Sequence, residues 1–344
     1  MGFTNYPHGI TSFGVPIIGS GVSYGMDYGS TIYFVDDKNG SDSNTGTSPE
    51  AAFDTIGAAI SAANAWDVIY IAPKAWTSLE YSYPGLNTAY AESNTITYAK
   101  AGLAVIGIAH ADLRGKPHGV VIRETASSTA ANMKVYAPLC AFENLCFERG
   151  GTETGGQLTF EGGTALTKEG NGGTVYNCHF FYGNGTTAHS GGGWSGYAGA
   201  ISAGQVWGLT VDTCYFLGCR IGIQFISGTA TAGDFIARNN IFASRLASPT
   251  EIDADIVVYT QGSGSITIIH NIFAHRLPAC TATGYAFRKY VNVDSERQGI
   301  IAFNMLGNDS VLTVGPTDAT GITCTDTIGR AANFCTSALC LDSE

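Results

Sequence analysis

The chain has 344 residues, of which 13% are charged, about half the share of an ordinary soluble domain, and 45 are glycine. With 17 Tyr and 17 Phe this suits a β structure with many tight turns, and an apolar fraction of 44% excludes intrinsic disorder. The formal net charge of −11, with no basic run, excludes duplex nucleic acid as a partner and counts against a polyanionic ligand such as a uronic-acid polymer.

Residues 1–31 are punctuated by Gly, Pro and Ser and read as an extended arm. Phe3, Tyr6, Ile10, Phe13, Val15 and Ile17 are its candidate partner-binding residues. It is either a loose terminus or an arm that docks on a partner, since a free tail has little use for so many apolar side chains. The start lacks a charged n-region and a continuous apolar core, so no secretory signal is expected. Tyr6 stands where a myristoylation motif wants Ser or Thr. No window of about 18 apolar residues occurs, so no membrane partner is expected.

A β run at 31–35 precedes a polar turn at 36–46. Ser48 as N-cap and Pro49 at the first helical position then predict a helix over 48–64. Phe53, Ile56, Ile60 and Ala63 give it one apolar face, fit to cover the open end of a stack of strands. Asp37, Asn39, Ser41 and Asp42 hint at calcium, but the glycine is misplaced for an EF-hand loop and no metal is expected.

From about residue 100 the chain repeats. Aligned on a final aromatic, the units end at Phe147, Phe180, Phe216, Phe242, Phe273 and, with a conservative change, Leu306, at intervals of 33, 36, 26, 31 and 33 residues. These are solenoid spacings. Each unit is a few short strands forming one turn of a coil, and stacking would lay Phe on Phe along the interior. Asn144, Asn177 and Asn239, each three before an anchor, are expected to form a polar ladder at one corner. The alternative, hairpins of a β-sandwich, would need turns every 8–12 residues, which are absent.

Two Gly-rich stretches, 149–173 and 183–206, read as loops inserted between strands; Trp194 and Tyr197 in the second are candidate glycan or interface contacts, or pack back on the coil. Of the nine cysteines, Cys140, Cys146, Cys178, Cys214 and Cys219 lie in or beside apolar strand-like segments as small hydrophobes. Cys324, Cys335 and Cys340 fall in a C-terminal cap or tail, 311–344, and could pair. No Cys-x-x-Cys pair exists, so zinc is not expected.

Residues 33–72, Tyr-Phe-Val-Asp-Asp-Lys-Asn-Gly-Ser-Asp-Ser-Asn-Thr-Gly-Thr-Ser-Pro-Glu through to Val68-Ile-Tyr-Ile-Ala-Pro73, resemble the opening segment of the pectate-lyase-like β-helix proteins. The fold class expected is therefore all-β: a right-handed parallel β-helix over 32–310, with a capping helix and an extended N-terminal arm. Phe3-Thr-Asn-Tyr-Pro-His-Gly-Ile-Thr-Ser-Phe-Gly-Val-Pro-Ile17 is similar to the leader of tailed-bacteriophage structural proteins that carry β-helix domains. That resemblance implies a virion protein attached through its arm to capsid or other virion proteins, and a homotrimer, as phage β-helix spikes usually are.

Glycan-cleaving β-helices need two carboxylates at a set separation, or a base beside a cation that stabilises an enolate. The Asn-Thr-Asp, Gly-His-Gly and Arg-Ile-Lys sets of polygalacturonases are missing, as are the Trp-Ile-Asp-His and Arg-x-Pro-x-x-Arg sets of pectate lyases. The remaining cluster is Arg238, Glu251, Asp253, Asp255, His270, His275 and Arg276. Within it Asp253, Asp255, His270 and Arg238 are the catalytic candidates, against the plainer reading of a solvated face. No cofactor is expected. The sequence favours a capsid decoration or surface spike, with a glycan-degrading tailspike or lyase, or a non-cleaving binder of host surface glycan, as the alternatives.

Overall fold

Short apolar runs recurring about every thirty residues can bury their inner faces only by stacking on one another. The computed structural model shows that stack. It describes residues 11–12, 15–16, 30–74, 89–108, 119–123, 131–148, 156–162, 168–181, 199–217, 219, 221–226, 233–243, 254–258, 264–274, 289–293, 298–306, 322–323, 328–331 and 333–335.

Three parallel sheets of ten, nine and eight strands run the length of the coil. The first starts with Ile32–Val35 and Val68–Ile71 and gains one strand per rung up to Ile328–Ala331. The second runs from Tyr90–Ala91 to Phe334–Cys335, and the third from Asn94–Ile96 to Ile322–Thr323. Within each sheet every strand pairs in parallel with the one a full turn away. The fold is a right-handed parallel β-helix, the hand that parallel crossovers take almost without exception. Ahead of the coil, Thr11–Ser12 and Val15–Pro16 form a short antiparallel pair.

Three expectations change. The coil does not stop at residue 310, because Ile322–Thr323, Ile328–Ala331 and Phe334–Cys335 extend all three sheets. The stretches 149–173 and 183–206 are not loops throughout. Leu158–Glu161 and Ile201–Gly204 within them are third-sheet strands, hidden in the sequence by flanking glycines. The helix expected over 48–64 is two pieces, a 3-10 turn at Pro49–Ala51 and an α-helix at Ile56–Ala62. Ser48 makes no side-chain cap bond; Thr55 is the true N-cap, accepting from the Ala58 N–H. The break arises because Phe53 leaves the helix to bridge Val35 at the edge of the first sheet.

The polar opening turn is what holds this cap. Asp42 accepts from the Asp54 and Thr55 N–H groups and from the Thr55 hydroxyl, while Asn44 Nδ2 donates to the Ala52 carbonyl. Glu92, from the rung beneath, accepts from Ile56 N–H at 3.0 Å and Gly57 N–H at 2.8 Å, where the helix dipole is positive. Lys100 Nζ donates to the Ser61 and Ala63 carbonyls at the other end. Phe53, Ile56, Ile60 and Ala63 are all buried against the coil.

Inside the coil the anchor residues stack as the repeat spacing requires. Phe147, Phe180, Phe216, Phe242 and Phe273 follow one another with ring centroids 5.2, 4.9, 4.7 and 5.0 Å apart and planes within 11° of parallel. Those separations match the spacing between hydrogen-bonded strands.

The polar ladder lies one residue from where the sequence placed it. Asn144, Asn177 and Asn239 occupy the corner between first and second sheets with φ of 55°, 49° and 57°, a left-handed turn that Asn tolerates better than most residues. Asn177 Nδ2 does donate to Asn144 Oδ1, but Asn239 donates to Asp212 instead. The continuous ladder is Asn240, Asn271, Asn304 and Asn333, at the next position and buried. The backbone and side-chain N–H groups of Asn240 both donate to Asn271 Oδ1, those of Asn271 to Asn304 Oδ1, and those of Asn304 to Asn333 Oδ1. In earlier rungs Leu145, Cys178 and Cys214 fill the same position.

Replacing Asn271 by Ala strands the Asn240 backbone donor and breaks the ladder, and should cost about 3 kcal/mol in urea unfolding. Asn177→Ala, at the half-exposed corner, should cost only about 1 kcal/mol, the penalty of a left-handed turn.

Candidate functional site

Because side chains alternate along a strand, the first sheet points one set of residues into the coil and the next set out. Tyr33, Ile69, Val105, Phe142, Val175, Val211, Ala237, Ile268 and Ile301 belong to the interior. Their neighbours Phe34, Tyr70, Ile106, Glu143, Tyr176, Asp212, Arg238, Ile269 and Ala302 therefore form an outward column in register. Its N-terminal part is apolar, with Phe34, Tyr70 and Ile106 buried in one cluster. Its middle is Glu143, Tyr176, Asp212 and Arg238, on four successive rungs.

Asp212 and Arg238 form the best-defined polar contact of this face. Arg238 Nε donates to Asp212 Oδ2 at 2.7 Å, and Asn239 Nδ2 and the Thr213 hydroxyl both donate to Oδ1 at 3.0 Å. The arginine is half exposed and the carboxylate nearly covered, so the pair keeps Asp212 oriented at the surface. Glu143, two rungs earlier, is 5% exposed, and its Oε2 has no hydrogen-bond partner. Burial pushes its carboxyl above the usual carboxylate range, with no cation to offset it. Its charge in turn helps burial raise the Tyr70 phenol.

Of the sequence's catalytic candidates, Arg238 is the one that lies on this face among the described residues, where it bonds Asp212. His270 lies at the sheet corner with φ of 56° and its ring beside Phe303, in the left-handed position that Asn239 fills one rung earlier. Asp255 is buried on a third-sheet strand, whereas His270 sits at the junction of the first and second sheets, so the two do not share a groove. Asp253, Glu251, His275 and Arg276 lie outside the described residues, as do Trp194, Tyr197, Phe3, Tyr6, Ile10, Phe13 and Ile17. Val15 lies in the short antiparallel pair of the arm.

Glu143, Tyr176 and Asp212 were missed in the sequence, where only their spacing from the anchors could have found them. Each stands four residues before an anchor Phe, in the same column as Arg238.

A second buried acid, Glu148 on the second sheet, faces Arg123 at 4.0 Å, too far for a direct hydrogen bond. Burial raises its carboxyl, partly offset by Arg123. Among the described residues no group of three His, Cys, Asp or Glu is placed to hold a metal, and no helix is long and apolar enough to cross a membrane. Cys140, Cys146, Cys178, Cys214 and Cys219 are buried, and burial pushes the Cys140 and Cys178 thiols up to about 12, which makes those two unreactive.

No family model matches the sequence, and comparison with curated proteins gives no match. Among solved structures, a pectin methylesterase from Aspergillus niger is similar over 93% of this chain and 90% of its own, at 14% identity and a TM-score of 0.41. At that level the likeness adds nothing to the three-sheet topology observed directly.

A carboxyl whose folded pKa lies above its unfolded value keeps its proton in the fold after the unfolded chain has released it. Its contribution to stability therefore falls as pH rises from about 4.3 through the raised value, and stays lost above it. Glu143→Gln should accordingly narrow the difference in Tm between pH 4 and pH 7, raising Tm at pH 7, as read by calorimetry at both values.

Proposed function

We propose that the chain is a structural protein of a bacteriophage particle, a capsid decoration or surface spike held by its N-terminal arm and displayed as a homotrimer. The observation that carries this reading is the leader Phe3–Ile17, similar to that of phage structural proteins, set directly before a coil whose first strand starts at Ile32. The coil is suited to display. Each rung is bonded to the next along three sheets, so the coil is stiff, and the Ile56–Ala62 helix packs on its first rungs. The apolar side chains of residues 1–31 are the contacts this reading assigns to capsid or other virion proteins. A net charge of −11 keeps such a particle surface soluble and unattractive to nucleic acid.

A second reading, a glycan-degrading tailspike, is favoured by one observation, that buried Glu143 and Arg238-bonded Asp212 lie two rungs apart on the same outward column.

Deletion of residues 1–20 should abolish binding of the purified protein to particles that lack it, while circular dichroism and Tm stay those of the full chain. Undiminished binding by the truncated protein would sink the attachment reading.

A further inference from the structure

The corner where the third sheet hands over to the first is left-handed on every early rung. Trp66, Gly102, Leu139, Gly172 and Gly208 occupy it in turn, with φ of 68°, 71°, 61°, 68° and 75°. Glycine takes that conformation freely, whereas a bulky side chain is strained there. Trp66 and Leu139 hold it nonetheless, 41% and 50% exposed. Backbone strain and exposed apolar surface at the same residues mark a place built for a contact.

Each of these apolar side chains lies down on the glycine of the next rung. A Cβ on Gly102 would meet the Trp66 ring, one on Gly172 the Leu139 side chain, and one on Gly233 the ring of half-buried Trp207. Trp66, Leu139 and Trp207 thus form a flat, uncharged strip with a platform on every second rung. From Trp66 to Trp207 it covers four steps, about 19 Å at about 4.8 Å per step.

The chain enters the coil at the head of this strip. Thr31 N–H donates to Asp67 Oδ1 at 2.7 Å and Val68 N–H to the Thr31 carbonyl, which brings the preceding residues to the Trp66–Asp67 corner. Just before it, Val22, Tyr24, Met26 and Tyr28 alternate with Ser23, Gly25, Asp27 and Gly29, the period of an extended segment with one apolar face. Three two-residue steps at about 3.3 Å per residue carry those four side chains across about 20 Å, the length of the strip. Asp27, on the polar face, is the one charged side chain in residues 1–31, so the apolar face meets the strip without electrostatic opposition.

We propose that residues 18–29 bind along this corner of their own coil, Tyr28 toward Trp66 and Val22 toward Trp207, with Ser23, Gly25 and Asp27 facing water. The arm then has two parts. Residues 18–29 are a stem fixed to the coil, and Phe3–Ile17 is a leader left for contact with the particle. The glycines at the corner serve this contact by letting Trp66, Leu139 and Trp207 lie flat, so that the stem meets a surface rather than a row of upright side chains.

Trp76→Phe and Trp194→Phe together leave Trp66 and Trp207 as the tryptophans of the chain. In that background, acrylamide quenching should be the same with and without residues 1–20, which leave Val22 to Tyr28 in place. Removing residues 1–29 should raise the quenching and red-shift the emission, and a synthetic peptide of residues 18–31 should restore protection. Met26→Asp in the full chain should act like that deletion, while Ser23→Asp, on the opposite face, should change nothing. Trp66→Gly with Leu139→Gly keeps the fold by circular dichroism, since glycine fills the same corner on neighbouring rungs, and should speed chymotryptic cleavage after Tyr24 and Tyr28 about tenfold or more. Equal quenching with and without residues 21–29, equal effects of Met26→Asp and Ser23→Asp, or protection that is lost on dilution, as cover by a second copy would be, each overturns the proposal. Particle binding is read on the chain lacking residues 1–20 and stem binding on the chain lacking 1–29, so leader and stem stand or fall separately.

Discussion

Everything in this molecule follows from one spacing. Parallel strands hydrogen-bond at about 4.8 Å, and each rung is placed in register on the one before, so like positions are forced into contact along the axis. Phe180 has to meet Phe147 below and Phe216 above, and the rings stack nearly parallel because the backbone leaves them no other relation. The same constraint makes the corner left-handed at Asn144, Asn177, Thr213, Asn239, His270 and Phe303 in turn. A position in this coil is a column, and a substitution is felt by two neighbours of its own kind.

That is why some features were legible in sequence and others were not. The aromatic column showed through because Phe is conspicuous and its intervals are regular. The capping helix showed through by its apolar face, but its start did not, since the break depends on Phe53 finding Val35 across 18 residues of turn. The buried Asn ladder was read one position early. Asn239 and Asn240 are adjacent, and only the left-handed φ of the first separates a residue chosen for turning from one chosen for bonding. Third-sheet strands such as Ile201–Gly204 were missed because strand and Gly-rich connection merge in composition.

The outward column carried less signal still. Glu143, Tyr176, Asp212 and Arg238 differ in type, so the column holds no repeated residue to notice. Its meaning comes from environment: whether a cation lies within reach, and whether an oxygen has a partner. In sequence Arg238 was one member of a mixed cluster of acids, histidines and arginines; in the fold it bonds Asp212 at 2.7 Å. His270, a catalytic candidate in sequence, stands at the left-handed corner beside Phe303.

The interior changes character between Cys214 and Asn240, from a thiol in an apolar column to a directed chain of amides. Every amide oxygen in that chain serves the rung before it, and each link spans one full turn. From Asn240 to Asn271 that turn is 31 residues, as it is from Phe242 to Phe273. The turn from Asn240 to Asn271 is thus a cassette bounded by matching amide and aromatic edges. A lineage could lengthen or shorten this coil by gaining or losing that turn without breaking either column. The N-terminal half, tied by Asp42, Glu92 and Lys100 to a cap that fits one rung alone, offers no such freedom.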